Sequence, residues 1–580
     1  MSGMSDIIQG KRRQLGQAIF LIAVIWFAVA FMIYPLWGVL VQTFYVNGQF
    51  SWRAFGKIMT SQRALKSIEN SFVLAVVLTF TVNFVGTFLV LITEYFDLKG
   101  AKILRLGYIS TLAFSGLLIA NGWINLYGQE GVITTYLARL FPSLNRGWFV
   151  GFPAVLLVMT FSFTSNHLIF LSSAIREVDN NTIDAAKNLG AGQWKILRQV
   201  VLPTLKPVFL TLIVMTFAIG LGAFSAPLMV GGKEFQTIAP MILTFSGRPA
   251  SRDIAALLSV ILGVSQMILL FSLTLNERKG NYLSTAKTKT RLVKQKINNP
   301  YLRVLTNVIA WILFAIYTMP MFFVVLFSFQ DTKAIAEQKF SFAHFTLAHY
   351  IKILSDVKGY VPLLRSICYA GIAAVASVLF MLLLVRWIMR QKQNAFAQTI
   401  EYIYYIPWLV PTIMIALGYI LAYDHASPLL LGQMVVGQQW IVPVAYLVIL
   451  LPKTLRYLKS AYYSFDHNLE DASRNLGASS FRTFRRIILP ALMPVVLALI
   501  ALNFTLNLAE YNMSTFLYQP NQETIGILIR SNSDPAATVD ARAINLVYSV
   551  ILVVFNVIIL YLVYGRGSKK QLQKGGVTEF

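Results

Sequence analysis

Apolar runs long enough to cross a lipid bilayer recur twelve times along this chain, and that recurrence decides its fold class before any residue-level motif is considered. A helix needs about 20 apolar residues to span the hydrocarbon layer, where every backbone N–H and C=O must be satisfied within its own segment. The runs are 17–41, 71–93, 104–127, 150–175, 205–230, 254–275, 303–329, 365–388, 399–422, 439–463, 492–517 and 543–564. The tenth carries Pro452 and Lys453 inside it and is the least regular. The expected fold class is an all-α polytopic membrane protein. With 13% charged residues against the roughly one quarter usual in soluble domains, the composition agrees.

The net charge of +25 raises the question of nucleic acid, and the distribution of the charge answers it. With the N-terminus inside, roughly two thirds of the 49 Lys and Arg fall in or beside alternate, cytoplasmic loops. That is the pattern of membrane topology, so no nucleic-acid partner is expected and both termini are placed in the cytoplasm. Lys11-Arg12-Arg13 before the first run resembles the start of a signal peptide, but the run is too long and lacks a small-residue cleavage site. One cysteine, Cys368, excludes an internal disulfide framework, and the five histidines include no HExxH pair.

The chain repeats itself. Residues 184–207 read DAAKNLGAGQWKILRQVVLPTLKP and residues 471–494 read DASRNLGASSFRTFRRIILPALMP, ungapped at an offset of 287, with 11 of 24 positions identical. Asp179 and Asn181 pair with Asp466 and Asn468 at the same offset, and Phe50–Ala75 aligns with Phe345–Ala370 at an offset of 295. The expected organisation is therefore a first six-span half over 1–275, a basic linker over 276–302 and a second six-span half over 303–580. An even number of spans per half makes the repeat parallel, related by an axis along the membrane normal.

Both copies of the 24-residue motif fall in a cytoplasmic loop between spans 4 and 5 of their half. Asn181 and Asn468 read as helix caps, with Asp184 and Asp471 in the first turn favoured by the helix dipole. Gly190 and Gly477 end that helix at a left-handed position. An amphipathic helix follows through Trp194–Leu202 and Phe481–Leu489, and Pro203 and Pro490 break or redirect the chain. Small residues at Ala185, Ala186, Ala472 and Ser473 allow a partner surface to approach, and two equivalent loops on one face suit a partner with two equivalent sockets.

The spacing, acidic-Ala-Ala/Ser, then Gly after a three-residue gap, then Leu202-Pro203 or Leu489-Pro490 twelve residues beyond that Gly, resembles the EAA loop of type I ABC importer permeases. Asp184 and Asp471 stand where that family most often has Glu. The resemblance implies the type I transmembrane fold of about 12 helices as two parallel six-helix repeats, fused in one chain and set in the bacterial inner membrane. It implies that the two loops dock on a homodimer of ABC ATPase subunits and that an extracytoplasmic substrate-binding protein delivers the solute to 42–70 and 330–364. The fused arrangement and the segment Asn121–Gly131 are similar to the ferric-iron and thiamine uptake group.

No GxxxxGK[ST] occurs, since Gly10-Lys11, Gly56-Lys57 and Gly232-Lys233 are followed by Arg, Ile and Glu. The chain is thus expected to be no enzyme and to carry no cofactor; ATP and Mg would be bound by the partner ATPases. Ionisable and amide groups inside spans are costly and point to a pathway or to helix–helix bonds. Glu510, Tyr511, Asn512, Asn121 and Asn507 are the pathway candidates, with Glu510 opposite Ala223 in the repeat. Interspan hydrogen bonding is the competing reading for these and for Asn125, Asn166, His167 and Asn503. Glu401 is expected near water, Tyr402, Tyr404 and Tyr405 in an interfacial belt, and His344 and His349 on an outer surface. Ferric ion is the first expectation for cargo; thiamine, phosphonates, sugar phosphates and polyamines stay open. A twelve-span ion-coupled carrier would leave the paired loops unexplained, and an exporter would usually lack them.

Overall fold

The computed structural model describes residues 2–46, 48–279, 292–391, 394–466, 468–534 and 536–562. Residues 280–291 of the expected basic linker lie outside the described residues. Among the described residues nine helices are long and apolar enough to cross a membrane: Leu15–Phe44, Gln62–Tyr95, Phe152–Arg176, Pro249–Ser272, Pro300–Ser328, Val357–Arg390, Ile441–Tyr463, Ser480–Leu508 and Val539–Ile559. Two further spans are bent pairs, Gln193–Thr204 with Lys206–Leu221 at 68° and Ala395–Leu409 with Thr412–Ala422 at 103°. The remaining apolar run, expected as one span over 104–127, is broken into Ala101–Ile109, a 3-10 turn Ser110–Ala113, and Gly116–Tyr127.

The third span of each half thus breaks at the same place in the repeat, by different local chemistry. In the first half Ser115 leaves the helix and its hydroxyl caps the next piece through Leu118 N. In the second half Val410 precedes Pro411 and is extended (φ −115°, ψ 138°), as the proline ring requires. Pro452, by contrast, sits inside one unbroken helix, so span 10 is regular after all.

Each half lends its first helix to the other. Span 1 packs on span 9, where Pro35 and Gly418 approach so closely that a Cβ on Gly418 would lie 2.6 Å from the Pro35 carbonyl. Pro35 has no N–H to give the Phe31 carbonyl one turn back, and the helix there widens into a π turn, Val29–Ile33. Tyr419 supplies the missing donor, its hydroxyl lying 2.7 Å from Phe31 O, and Tyr423 does the same for Ala30 O. Tyr404 donates to Val24 O at 2.8 Å and is fully buried, so it belongs to this seam and not to an interfacial belt. Reciprocally, span 7 packs on span 3, with Tyr108 Oη donating to Ala310 O at 2.6 Å and Gly107 against the Phe314 ring.

The apolar cores follow this exchange. One cluster gathers second-half spans with Val24 to Val39 of span 1, and another gathers first-half spans with Ala310 and Tyr317 of span 7. A third crosses between the halves around Leu221, Phe224, Leu508 and Tyr511. Two polar expectations are corrected here. Glu401 is buried and ion-paired to Lys459 of span 10, because a carboxylate at that depth needs a cation more than it can reach water. His349 is buried, 6% exposed, while His344 stays half-exposed against Asp331 at 2.8 Å.

Candidate functional site

The two motif loops fold alike. Helices Asn180–Asn188 and Asn468–Asn475 begin each copy; the first is capped by Asp179 and not by the expected Asn181, and Asp466 makes the equivalent bond at the start of the second. The Asp179 carboxylate accepts from Asn181 N at 3.0 Å, and Asp466 from Asn468 N at 3.0 Å. A carboxylate two residues upstream combines the hydrogen bond with a negative charge at the positive end of the dipole, which an amide cannot offer. Asp184 lies exposed in the second turn and not, as expected, in the first, accepting from Asn180 Nδ2 at 2.7 Å and from Lys187 at 3.2 Å. Asp471 is likewise exposed.

Gly190 and Gly477 adopt φ of +78° and +77°, the left-handed conformation required there. The closure is the same in both copies: Ala191 N donates to Ala186 O at 3.0 Å and Ala478 N to Ser473 O at 3.1 Å. Ala185 and Ala472 face outward, whereas Ser473 is buried with its hydroxyl 2.9 Å from that of Thr483. Ser473 therefore fastens the loop's two helices together and does not line an approach surface.

Flanking each glycine, two large apolar side chains point into solvent. Leu189 and Trp194 are 88% and 73% exposed; their repeat partners Leu476 and Phe481 are 88% and 71% exposed. Sequence reasoning counted Trp194 and Phe481 as amphipathic-helix residues and passed over the leucines. The signal was available, since an apolar residue beside a left-handed glycine recurs at the 287 offset. Leu202 and Leu489 are half-buried and Pro203 and Pro490 exposed, each after a π turn, Leu197–Val201 or Phe484–Ile488. Only the first half bends after its proline, by 68°; Ser480–Leu508 runs through Pro490 unbroken.

The pathway candidates divide into two groups. Span 11 ends at Leu508, so Glu510 stands in a break before the short helix Ser514–Leu517 and not deep in a helix. Its carboxylate accepts from Met513 N at 2.9 Å, Ser514 N at 3.2 Å and Ser514 Oγ at 3.2 Å. Next to it, repeat-equivalent residues touch each other. Phe224 stacks on Tyr511 with ring centres 5.7 Å apart, and Ser225 Oγ donates to Asn512 Oδ1 at 3.2 Å. Residues related by a two-fold rotation can meet only beside its axis, so 224–225 and 511–512 mark the axis between the halves.

The approach to this point is built twice. Ser71 and Ser366 of the second span in each half accept from Ile238 N and Ile525 N, both at 2.8 Å. Asn70 and Arg365 donate to Gln236 O and Glu523 O, at 3.0 and 2.9 Å. Asn507 is buried beside the break, with Nδ2 lacking a protein partner among the described residues. Asn121 is set apart from this group. Its Oδ1 accepts from Ser533 Oγ at 2.9 Å and Asn545 Nδ2 at 3.0 Å, and its Nδ2 donates to Ser549 Oγ at 3.1 Å. Asn503 similarly joins spans 8 and 10 through Ser377 and Thr454.

Residues 106–278 and 299–565 match the family described as binding-protein-dependent transport system inner membrane component. The chain is 34% identical over 543 residues, 93% of its length and 94% of the relative's, to a probable ABC transporter permease protein y4fN of Sinorhizobium fredii. It is 24% identical, over 90% of its length and 81% of the relative's, to putative ferric transport system permease protein FbpB 1 of Haemophilus influenzae. Over 35% of its length and 74% of the relative's it is 27% identical to putative 2-aminoethylphosphonate transport system permease protein PhnV of Salmonella typhimurium. A crystal structure of a bacterial ABC transporter that imports alginate contains a chain 20% identical to it, with a TM-score of 0.38 over 46% of this chain and 96% of that one. The chain belongs to the binding-protein-dependent transport system inner membrane component family, as a multi-pass ABC importer permease with two halves fused in one polypeptide.

Proposed function

We propose that this permease carries ferric ion across the bacterial inner membrane by alternating access, driven by a homodimer of ABC ATPases docked on its two loops. One observation carries the docking: both loops present the same surface, an outward Ala185 or Ala472, a left-handed glycine, and the exposed pairs Leu189/Trp194 and Leu476/Phe481. Large apolar side chains held in water twice, at repeat-equivalent positions, suit sockets on a two-fold partner. ATP hydrolysis belongs to that partner, and ATP-driven closure of its subunits moves the two loops and rocks the halves. Both chain ends lie on the ATPase side, and the division into halves at 1–275 and 303–580 with a linker at 276–302 fits this layout. The contact of Phe224 with Tyr511 closes the path between the halves, with Glu510 setting the turn that holds Tyr511 and Asn512 there.

The choice of ferric ion is supported by the relatives named for ferric transport, which align over most of this chain. Among the described residues no group of three His, Cys, Asp or Glu stands together as a metal site, so coordination chemistry in this chain does not add to it. Relatives named for 2-aminoethylphosphonate transport favour a second reading, phosphonate import. The test is uptake of radiolabelled ferric ion in cells lacking this chain, against cells given it back intact or as Gly190→Trp/Gly477→Trp. Uptake restored only by the intact chain supports both cargo and docking. Equal uptake in all three rejects ferric ion and moves the same assay to labelled 2-aminoethylphosphonate. Transport by the double variant at the intact rate rejects docking through these loops.

A further inference from the structure

The segment leading into the second half is stitched to the first docking loop. Gln193, which opens the loop's second helix, grips it with both amide atoms: Nε2 donates to Lys296 O at 2.6 Å and Oε1 accepts from Asn298 N at 3.3 Å. Asn180, at the start of the loop's first helix, accepts from Val293 N at 3.2 Å. On its other side the segment pairs with the end of span 2. Gln295 N donates to Tyr95 O at 2.8 Å, Asp97 N to Gln295 O at 3.0 Å, and Lys294 Nζ to Thr93 O at 2.6 Å. Ile297 is buried in the first-half core. Asn299 then caps Pro300–Ser328, accepting from Tyr301 N and Leu302 N, so the stitched stretch becomes span 7 without slack.

The second loop is fastened by different means. Ser480, the repeat partner of Gln193, offers its carbonyl to Arg386 Nη2 at 2.6 Å, and Arg390 pairs with Glu470 at 3.0 Å. Guanidinium groups of span 8 do there what a strand of backbone does at the first loop. Side-chain amides that bond backbone at both their donor and acceptor ends fix a segment's position and direction together.

We propose that residues 292–299 form a strap that makes the first docking loop, the end of span 2 and span 7 one moving body, with Gln193 and Asn180 as positioning residues. This rests on the docking reading above. The strap gives the joint between the halves a role beyond tethering, because a push on the first loop reaches the first helix of the second half directly. Loss of the two amides leaves the bridge at Gln295 in place, so the loop is loosened without unfolding.

The test uses the full chain, Cys368→Ser, assembled with its ATPase and binding protein in nanodiscs, with spin labels on exposed cysteines. One pair, Lys195→Cys with Leu305→Cys, reports the first loop against span 7. A second, Lys195→Cys with Arg482→Cys, reports the two loops against each other. On trapping with ATP and vanadate, the loop-to-loop distance is expected to shift while the loop-to-span distance stays fixed. Adding Gln193→Ala/Asn180→Ala is expected to release the loop-to-span distance, whereas Ser480→Ala, which keeps its carbonyl, leaves it fixed. A loop-to-span distance that changes along with the loop-to-loop distance in the unaltered strap overturns the proposal, as does one that stays fixed in the double variant. A loop-to-loop distance that never changes, or an ATPase that does not co-purify, rejects the docking reading itself.

Discussion

If the stack of Phe224 on Tyr511 closes the path, its pair energy must appear in the equilibrium between closed and open states. Both rings are buried, 5% and 6% exposed, with planes 27° apart and centres 5.7 Å apart. Such pairs contribute about 0.5–1.5 kcal/mol beyond the area they bury. Phe224 also approaches Phe516 at 6.4 Å, so Phe224→Leu alone mixes contacts that open with contacts that do not. A cycle of Phe224→Leu, Tyr511→Leu and the double variant isolates the pair. Opening separates the rings, so the coupling should equal the pair term, about 2- to 13-fold in the open-to-closed ratio. The Ser225–Asn512 bond remains in all four proteins and cancels. The assay is the basal ATP hydrolysis of the reconstituted complex without binding protein, which rises as the closed state is weakened. Single variants that raise it additively, with coupling below about 0.3 kcal/mol, would show that the rings stay together or apart throughout the cycle, and the gate would lie elsewhere.

Asn121→Leu should lower the thermal stability of the detergent-solubilised permease by about 1–2 kcal/mol, since Asn545 and Ser549 lose a partner at the span 3–span 12 seam while keeping others. A melting temperature equal to the parent's would refute that seam. Between the first two helices of the second half, burial holds the His349 imidazole below its ordinary pKa, with Asp540 and Asp331 opposing and Lys352 reinforcing the shift. The unfolded chain therefore binds the proton more readily, so this contribution is fully present above about pH 6.5 and is lost as pH falls. The bond from Ala334 N holds Asp331 below the usual carboxylate range, a contribution lost only in stronger acid, below about pH 4. Melting followed between pH 7 and 5 should thus show a slope that His349→Gln flattens; an unchanged slope would assign the pH dependence to other groups.

What the sequence made legible is what a single segment or a fixed offset can encode. Apolar length located the spans, and the 287 offset located both loops together with the left-handed glycines, because those features depend on the residue and its near neighbours. Residues whose roles depend on a distant segment were misread. Tyr404 sits in a run of tyrosines that suggests an interface, yet its hydroxyl answers a carbonyl 380 positions away on span 1. Glu401 stands near a span end in the sequence, within reach of water, but span 10 brings Lys459 to it. Glu510 looked like a charge deep in a helix because hydropathy does not register a break; the helix ends at Leu508, and the carboxylate serves the turn that follows. The break itself had a legible cause in the first half, Gly222, but its partner is Ala509, so only the repeat alignment transfers the break to span 11. The same alignment carries a consequence beyond fold. Once 224 and 511 are known to be equivalent, their contact places them beside the axis between the halves.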